Sequence, residues 1–461
     1  MIARTVTALA IASGLAVATP AAAGSFEAGV DAAAAQVLKS TGVPSASVAV
    51  IRDDHVVLLK AYGNAHLAPA VAATPAMRYS IGSVSKEFLA ATIMLLIEQG
   101  KLTLDDPVAK YLPTLTDAGQ VRIRDLLNHT AGYRDYWPQD YVPPSMLRPI
   151  SKEKLLQDWA TQPLDFAPGT QYQYSNTGYA VAGAIVEKIT GQPLMELMHQ
   201  RIFDPLGMKS VRDINLGRLD PTDAWGYLRY TLGPPRLAPK EGAGWLFAAG
   251  ELAMTAEDLA RWDLALLDGK LLAPASFNAM STTRVLVNGT STNYGLGLDV
   301  HMESGRRVLG HSGEVSGFVS QNTLYPDQKA AIIVLTNQDA SSAAQQLNTR
   351  IRDLLFLVQS PESARQLERA RKIFADLQQG TLDRSLFTAN GNDYFNAQAL
   401  LDAKQSLAPL GAPKGFEQTV EYDRGGMRLR RFEIKFPKRT LVVIARELPD
   451  GRFEQYQLLP E

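Results

Sequence analysis

The placement of strand-like and helix-like patterns along the chain limits its fold more than any other feature. Residues 45–51 and 56–62 are apolar, β-branched runs on either side of Arg52-Asp53-Asp54-His55, the pattern of a hairpin. Four further strand patterns, at 294–300, 306–309, 318–325 and 330–337, read as an antiparallel meander, with Pro326-Asp327-Gln328 turning between the last two. Between these groups the apolar period is helical. Residues 88–99 run to Gly100, 124–128 stop near Gly132, 152–162 are amphipathic, and 180–190 run to Gly191. Strands at both ends with helices between predict one antiparallel sheet assembled from the two ends of a domain. Helices flank it and an all-helical insertion interrupts it, an α/β (α+β) arrangement. A closing helix over 343–358 ends this domain, which is placed at 24–358.

Beyond Gln359-Ser360-Pro361 the charge density rises. A helical pattern over 362–378 and strand patterns at 416–422, 428–436, 441–448 and 452–458 predict a small α+β domain at 362–461. Arg424, Arg428, Arg430, Arg431, Lys435, Lys438 and Arg439 make it locally basic, which reads as alternating charge on an exposed strand face.

At the other end, Arg4 is the only charge before Glu27, and residues 5–19 are apolar or small up to Pro20-Ala21-Ala22-Ala23. This is the pattern of a secretory signal (1–23) cleaved near Ala23. The run is shorter than the ~20 residues that span a bilayer. The expectation is an exported protein, periplasmic or extracellular, without a membrane span.

Composition removes several function classes. With 46 Lys+Arg against 47 Asp+Glu there is no global basic field to hold nucleic acid. The absence of cysteine removes thiol nucleophiles, Cys-ligated zinc and iron–sulfur clusters. The six histidines include no His-Glu-x-x-His pair, so no protein-built metal site is expected. There is no phosphate-cradling Gly-x-x-x-x-Gly-Lys loop and no Gly-x-Ser-x-Gly elbow, and no cofactor is expected.

What remains is Ser83-Val84-Ser85-Lys86, opening a helix that carries no charge between Glu87 and Glu98. Residues at i and i+3 share a helix face, so the Lys86 amine can reach the Ser83 hydroxyl. Burial disfavours the ammonium form and brings the amine toward a useful base. The helix N-terminus adds backbone N–H groups for an oxyanion formed at Ser83. Ser151-Lys152-Glu153-Lys154 matches the same pattern but precedes a charged helix and reads as an N-cap. A second element, Tyr174-Ser175-Asn176, lies in a polar loop before the helix from Ala180. Its phenol can relay a proton if nearby cations lower its pKa, and its amide can orient lysine and substrate. Tyr62-Gly63-Asn64 and Tyr394-Phe395-Asn396 are competing matches, read as packing and turns. The third element, His311-Ser312-Gly313-Glu314, falls between the strands ending at Leu309 and starting near Phe318. Gly313 admits a substrate backbone, and the next amide can serve as an oxyanion donor. Lys240-Glu241-Gly242 competes with it but has no strand beside it.

In this order, Ser83-x-x-Lys86, Tyr174-x-Asn176 and His311-x-Gly313 resemble the serine beta-lactamase and penicillin-binding superfamily. The likeness is to the class C beta-lactamase-like branch, with its esterases, D-aminopeptidases and carboxypeptidases. Leu126-Leu127-Asn128-His129-Thr130-Ala131-Gly132, Phe166-Ala167-Pro168-Gly169 and Tyr294-Gly295-Leu296-Gly297 add to the likeness, which covers residues 45–357. The resemblance implies a beta-lactamase/transpeptidase-like fold and a metal-independent serine hydrolase. Ser83 would be the acylated nucleophile, Lys86 and Tyr174 the general bases, and Asn176 a ligand of the substrate amide. The N–H groups of Ser83 and Glu314 would form the oxyanion hole. Many beta-lactamases and carboxypeptidases carry lysine where this chain has His311. A mostly neutral imidazole there points away from penicillins and toward small ester, amide or D-amino-acid peptide substrates. The alternatives are a beta-lactamase or D-alanyl-D-alanine carboxypeptidase, and a non-catalytic sensor on the same fold. The aromatic residues expected near the cleft are Tyr133, Tyr136, Trp137, Trp225, Tyr227 and Trp245. Oligomeric state is not legible.

Overall fold

The computed structural model describes residues 20–139, 141–303, 305–359 and 361–460. Residues 1–19 of the expected leader lie outside these, and Pro20 opens helix α1 (Pro20–Thr41). Two compact units are present. One is Ala33–Arg352, and the other is Asp353–Glu461 with the N-terminal residues.

In the larger unit, the strands are β1 (Ser45–Arg52), β2 (His55–Leu67), β3 (Ala70–Ala72), β4 (Asp299–Glu303), β5 (Arg306–Val315), β6 (Phe318–Tyr325) and β7 (Ala330–Thr336). They form one sheet in the order β3-β2-β1-β7-β6-β5-β4. The two ends of the unit meet at its centre, where β1 and β7 run antiparallel with Ala46 opposite Thr336 and Ile51 opposite Ala331. β7 is buried along its length and β1 up to its last residue, which explains their largely apolar sequences, with Ser45 and Ser47 the buried polar exceptions in β1.

Helix α2 (Ser85–Glu98) follows a 3-10 turn over Gly82–Val84. Its Leu, Ala, Met and Glu content favours the helix, and apolar residues all round make it a central helix. It ends at Gly100, in the left-handed region at φ +70°. Around it lie α3 (Ile123–Leu127), α4 (Lys152–Trp159), α5 (Asn176–Thr190) and α6 (Ala256–Leu267). Trp262 of α6 packs on Phe88 of α2 with ring centroids 4.2 Å apart.

Three boundaries differ from the sequence expectation. α5 begins at Asn176, because the Ser175 side chain accepts a hydrogen bond from the Gly178 N–H and caps the helix. The polar first turn, Asn176-Thr177-Gly178, hides this start from any apolar period. The strand expected from Tyr294 begins only at Asp299, since the chain bends through Gly295 and Gly297. A Cβ at Gly295 would lie 2.0 Å from the Met280 carbonyl oxygen. β5 does not stop at Leu309 but runs to Val315, so His311-Ser312-Gly313 lies within a strand paired to β6.

Helix α7 (Ala343–Gln359) crosses the boundary between the units, and the smaller unit, from Asp353, continues with α8 (Pro361–Gln379). The four strands β8 (Gly415–Arg424), β9 (Met427–Lys435), β10 (Thr440–Glu447) and β11 (Phe453–Pro460) form an antiparallel meander. Phe374, Phe432, Val443 and Tyr456 fill its core, and the Tyr456 hydroxyl donates to the Ala370 carbonyl of α8 at 2.8 Å. Among the described residues no helix is long and apolar enough to cross a membrane.

Candidate active site

The turn that precedes α2 needs glycine at its first residue. Gly82 has φ +51°, and a Cβ there would stand 2.8 Å from the Glu314 backbone nitrogen. The same close approach sets Ser83 beside the end of β5. Gly313 is equally constrained, since a Cβ on it would lie 1.9 Å from the Ile81 carbonyl oxygen. The Ser320 hydroxyl of β6 donates to that oxygen at 2.7 Å, tying the sheet to the turn.

At the second residue of α2, Lys86 is fully buried, and its Nζ lies 2.8 Å from three atoms: Ser83 Oγ, Asn176 Oδ1 and the Ala249 carbonyl oxygen. Burial lowers its pKa to about 7, with the Asp135 carboxylate pulling the other way. The three contacts then acquire a direction. Asn176 Oδ1 and the Ala249 carbonyl can only accept, so a neutral amine gives both of its protons to them. Its lone pair is left facing Ser83, whose hydroxyl becomes the donor. The surroundings thus aim a base at the hydroxyl.

The orientation of the Asn176 amide is itself fixed. Its Nδ2 donates to Asp135 Oδ2 at 3.3 Å and its backbone N–H donates to Asp135 Oδ1 at 3.0 Å, which turns Oδ1 toward Lys86. Asp135 is buried, and burial raises its pKa against the Trp137 and Asn176 hydrogen bonds and the Lys86 charge. Asp135 was not singled out from sequence: it follows Tyr133-Arg134 in a loop without pattern, and only the fold brings it to Asn176.

Tyr174 stands on the other side of Ser83 and is hydrogen-bonded with it. The sequence reading made its role as a proton relay conditional on nearby cations lowering the phenol pKa. Instead burial pushes it well above its usual value, with the Ser83 hydrogen bond opposing. Lys86 Nζ lies over the ring, 4.9 Å from its centroid. The phenol therefore stays protonated at neutral pH.

His311 is brought to the same cavity but does not offer a charge. Its Nδ1 faces the Ser312 carbonyl, an acceptor, so that nitrogen carries the proton. Nε2 then accepts from the Tyr294 hydroxyl at 2.7 Å. Burial, with Lys86 nearby, lowers the imidazole pKa to about 3. Behind Tyr174 a second imidazole, His129, packs on its ring with centroids 4.2 Å apart and the planes tilted by 32°. His129 sits at φ +60°, and its Nδ1 accepts the Ser175 backbone N–H at 3.1 Å. It thereby holds both ends of the Tyr174-Ser175 step.

Ser83, Tyr174, Asn176, His311, Gly313 and Glu314 line one cavity of about 750 Å³, with Lys86 directly behind Ser83. Of the aromatic residues expected near the cleft, Tyr136 and Trp137 line it, and Tyr141 joins them. Tyr133 and Trp245 instead donate to the backbone carbonyls of Thr116 and Arg148, Trp225 stacks on His66, and the Tyr227 hydroxyl accepts from Leu67 N–H. Among the described residues no Lys or Arg lines the cavity, whereas Asp135, Glu314 and Asp339 do. The competing motifs lie elsewhere: Ser151 caps α4 by accepting the Lys154 N–H at 3.1 Å, and Lys240 Nζ bonds the Gly217 carbonyl.

A family model described as Beta-lactamase matches residues 30–356. A D-aminopeptidase of Brucella canis is 31% identical over 304 residues, which are 65% of this chain and 57% of that protein. This chain thus spans little more than half the length of that curated relative. Among solved structures, a D-stereospecific amidohydrolase from Streptomyces sp. superposes with a TM-score of 0.58 at 27% identity, covering 68% of this chain and 96% of the other. An octameric penicillin-binding protein homologue from Pyrococcus abyssi covers 94% of this chain and 99% of its own at a TM-score of 0.61 and 21% identity, a likeness of fold.

Proposed function

The chain belongs to the beta-lactamase family, and on that premise we propose that it is an exported serine hydrolase that cleaves amide or ester bonds, D-amino-acid amides and peptides foremost, through an acyl-Ser83 intermediate. The observation that carries this reading is the hydrogen-bonded set Ser83, Lys86 and Asn176 opening on a cavity whose described lining contains no Lys or Arg.

Neutral Lys86 takes the Ser83 proton as Oγ attacks the substrate carbonyl carbon, and the backbone N–H groups of Ser83 and Glu314 receive the oxyanion. The proton then passes from Lys86 through the Tyr174 hydroxyl, which gives one proton and gains another, to the leaving nitrogen or oxygen. The carbon–leaving-group bond breaks. Water next attacks acyl-Ser83, returns a proton to Ser83 Oγ and releases the acid. Asn176 and Asp135 hold the lysine in register during both halves.

Substrate choice follows from charge. Penicillins and D-alanyl-D-alanine peptides carry a carboxylate, and a cavity with Asp135, Glu314, Asp339 and a neutral His311 but no Lys or Arg among its described lining suits it poorly. A free amino group on the acyl side suits the same lining. The similarity to a D-aminopeptidase and to a D-stereospecific amidohydrolase supports that substrate class. The leader-like residues 1–23 support export.

The test is a comparison of initial rates on a D-amino-acid p-nitroanilide, its L-isomer, a short-chain p-nitrophenyl ester and a chromogenic cephalosporin, with Ser83→Ala as control. Faster Ser83-dependent turnover of the D-anilide or the ester than of the cephalosporin is expected. Cephalosporin turnover that exceeds the others would replace this reading with a beta-lactamase.

A further inference from the structure

Lys86 takes its two acceptors from different parts of the chain. Asn176 Oδ1 belongs to the first residue of α5, and the Ala249 carbonyl belongs to a turn over residues 243–250. Each lies 2.8 Å from Nζ, so the gap between α5 and this turn decides whether one amine reaches both. Two helical turns along α5 from Asn176, Gly183 meets Ala248 of the same turn. A Cβ on Gly183 would stand 2.4 Å from the Ala248 Cβ, well inside the ~3.5–4.0 Å at which carbons pack. The bare glycine is what lets the turn come this close.

Ala248 is not free to retreat. It lies in the left-handed region at φ +61°, which alanine seldom adopts and which persists only where the surroundings impose it. Those surroundings are hydrogen bonds on both sides. Before Ala248, the Asn215 Oδ1 accepts the N–H groups of Gly244 and Leu246, each at 3.0 Å, and the Tyr136 hydroxyl donates to the Trp245 carbonyl at 2.5 Å. After it, the Leu252 N–H donates to Ser85 Oγ at 3.1 Å and the Leu252 carbonyl accepts the Ile81 N–H at 3.0 Å. The Glu251 carboxyl accepts the Ala248 N–H itself. Asn215, Ser85 and Glu251 are all buried. Ser85, the inner serine of the Ser83-to-Lys86 tetrapeptide, thus fastens the turn to α2 one residue before the lysine.

We propose that Gly183 and Ala248 are positioning residues of the reaction: their contact sets the gap between Asn176 Oδ1 and the Ala249 carbonyl, and so aims the Lys86 lone pair at Ser83. The proposal rests on the reading of neutral Lys86 as the base for Ser83. A wider gap takes an acceptor from one Lys86 N–H and lets the amine turn away from the hydroxyl. The ammonium form, which needs acceptors most, is then disfavoured further.

The test measures kcat, KM and the pH profile of ester turnover in the unaltered chain, Gly183→Ala, Ala248→Gly and the two substitutions together. Gly183→Ala overpacks the contact and should lower kcat about 10–100-fold, the scale of a 1 Å misplacement, with KM little changed and the acid limb moved to lower pH. Ala248→Gly introduces no clash but removes the spacer, so it should shift the limb the same way with a smaller loss of kcat. The double substitution carries the methyl across to α5 and leaves glycine at φ +61°, so it should recover most of kcat and return the limb. If Gly183→Ala does not fold, the contrast between Ala248→Gly and the double substitution still decides. Losses that add in the double substitution, in a chain that melts cooperatively, overturn the proposal, as do single substitutions that leave kcat and the limb in place. Ser83→Ala separates the two kinds of failure. Turnover that survives it overturns the Lys86–Ser83 reading and this proposal together, whereas Ser83-dependent turnover indifferent to the other substitutions overturns this proposal alone.

Discussion

The amine of Lys86 lies 2.8 Å from the hydroxyl of Ser83 and is shut off from solvent. Because burial brings its pKa down to about 7, this amine changes protonation within the range where the enzyme would be assayed. Neutral lysine is the base, so kcat/KM on an amide or ester should rise with pH through an apparent pKa near 7 and level above it. His311 adds no second step, since its pKa of about 3 leaves it neutral throughout. A pH profile from 5 to 9 checks both statements.

Asp135 raises the Lys86 pKa and also holds the Asn176 amide. Asp135→Asn removes the charge that favours the ammonium form while keeping a side chain that can bond Asn176. The acid limb of the profile should therefore move to lower pH. An unmoved limb would mean that Asp135 acts only as a structural anchor.

Tyr174 stays protonated because burial pushes its phenol well up. Tyr174→Phe should slow turnover by about 10²–10⁴-fold, the usual contribution of a positioned proton donor. The loss should be greater for an anilide than for a p-nitrophenyl ester, whose leaving group needs no proton. Equal losses on the two substrates would assign Tyr174 to positioning alone.

Gly313 meets the Ile81 carbonyl where a Cβ would lie 1.9 Å away. Gly313→Ala must push the β5 edge away from the turn that carries Ser83. Overpacking of this kind costs about 1–3 kcal/mol, and turnover should be lost with it. Thermal melting and an ester assay on one sample measure the two effects. Retained activity would mean that the strand and turn need not stay in contact.

His129 accepts the Ser175 N–H and packs on Tyr174. Its φ of +60° is tolerated best by Gly, Asn and Asp. His129→Asn keeps the backbone conformation but removes the ring, so kcat should fall with little change in KM, since no described part of His129 lines the cavity. A rise in KM alone would place the residue in substrate binding instead.

Much of this arrangement was legible before any coordinates. Ser83 and Lys86 are neighbours in sequence, and the apolar run that follows them already signals a buried lysine. The sheet built from the two ends of the larger unit was visible because β1 and β7 are rich in Ala, Val and Ile. Asp135 and the Ala249 carbonyl were hidden, since neither has a local pattern and both reach Lys86 only through tertiary packing. The start of α5 at Asn176 was missed because a capped polar first turn carries no apolar period. The surroundings of Tyr174 were hidden for a similar reason: a sequence can bring a lysine near a phenol, but it does not show that the lysine sits over the ring with the phenol buried. Arg430 is buried and not on an exposed strand face, and its inward turn depends on strand register in a segment where charges alternate without an obvious core face.

The most direct measurement is the intact mass of the protein after exposure to a fluorophosphonate at pH 8 and at pH 5.5, followed by peptide mapping. Neutral Lys86 poised against Ser83 should give one adduct per chain, on Ser83, formed faster at pH 8 and abolished by Ser83→Ala. An unmodified chain, or an adduct on any other residue, would contradict the assignment of Ser83 and Lys86 as nucleophile and base.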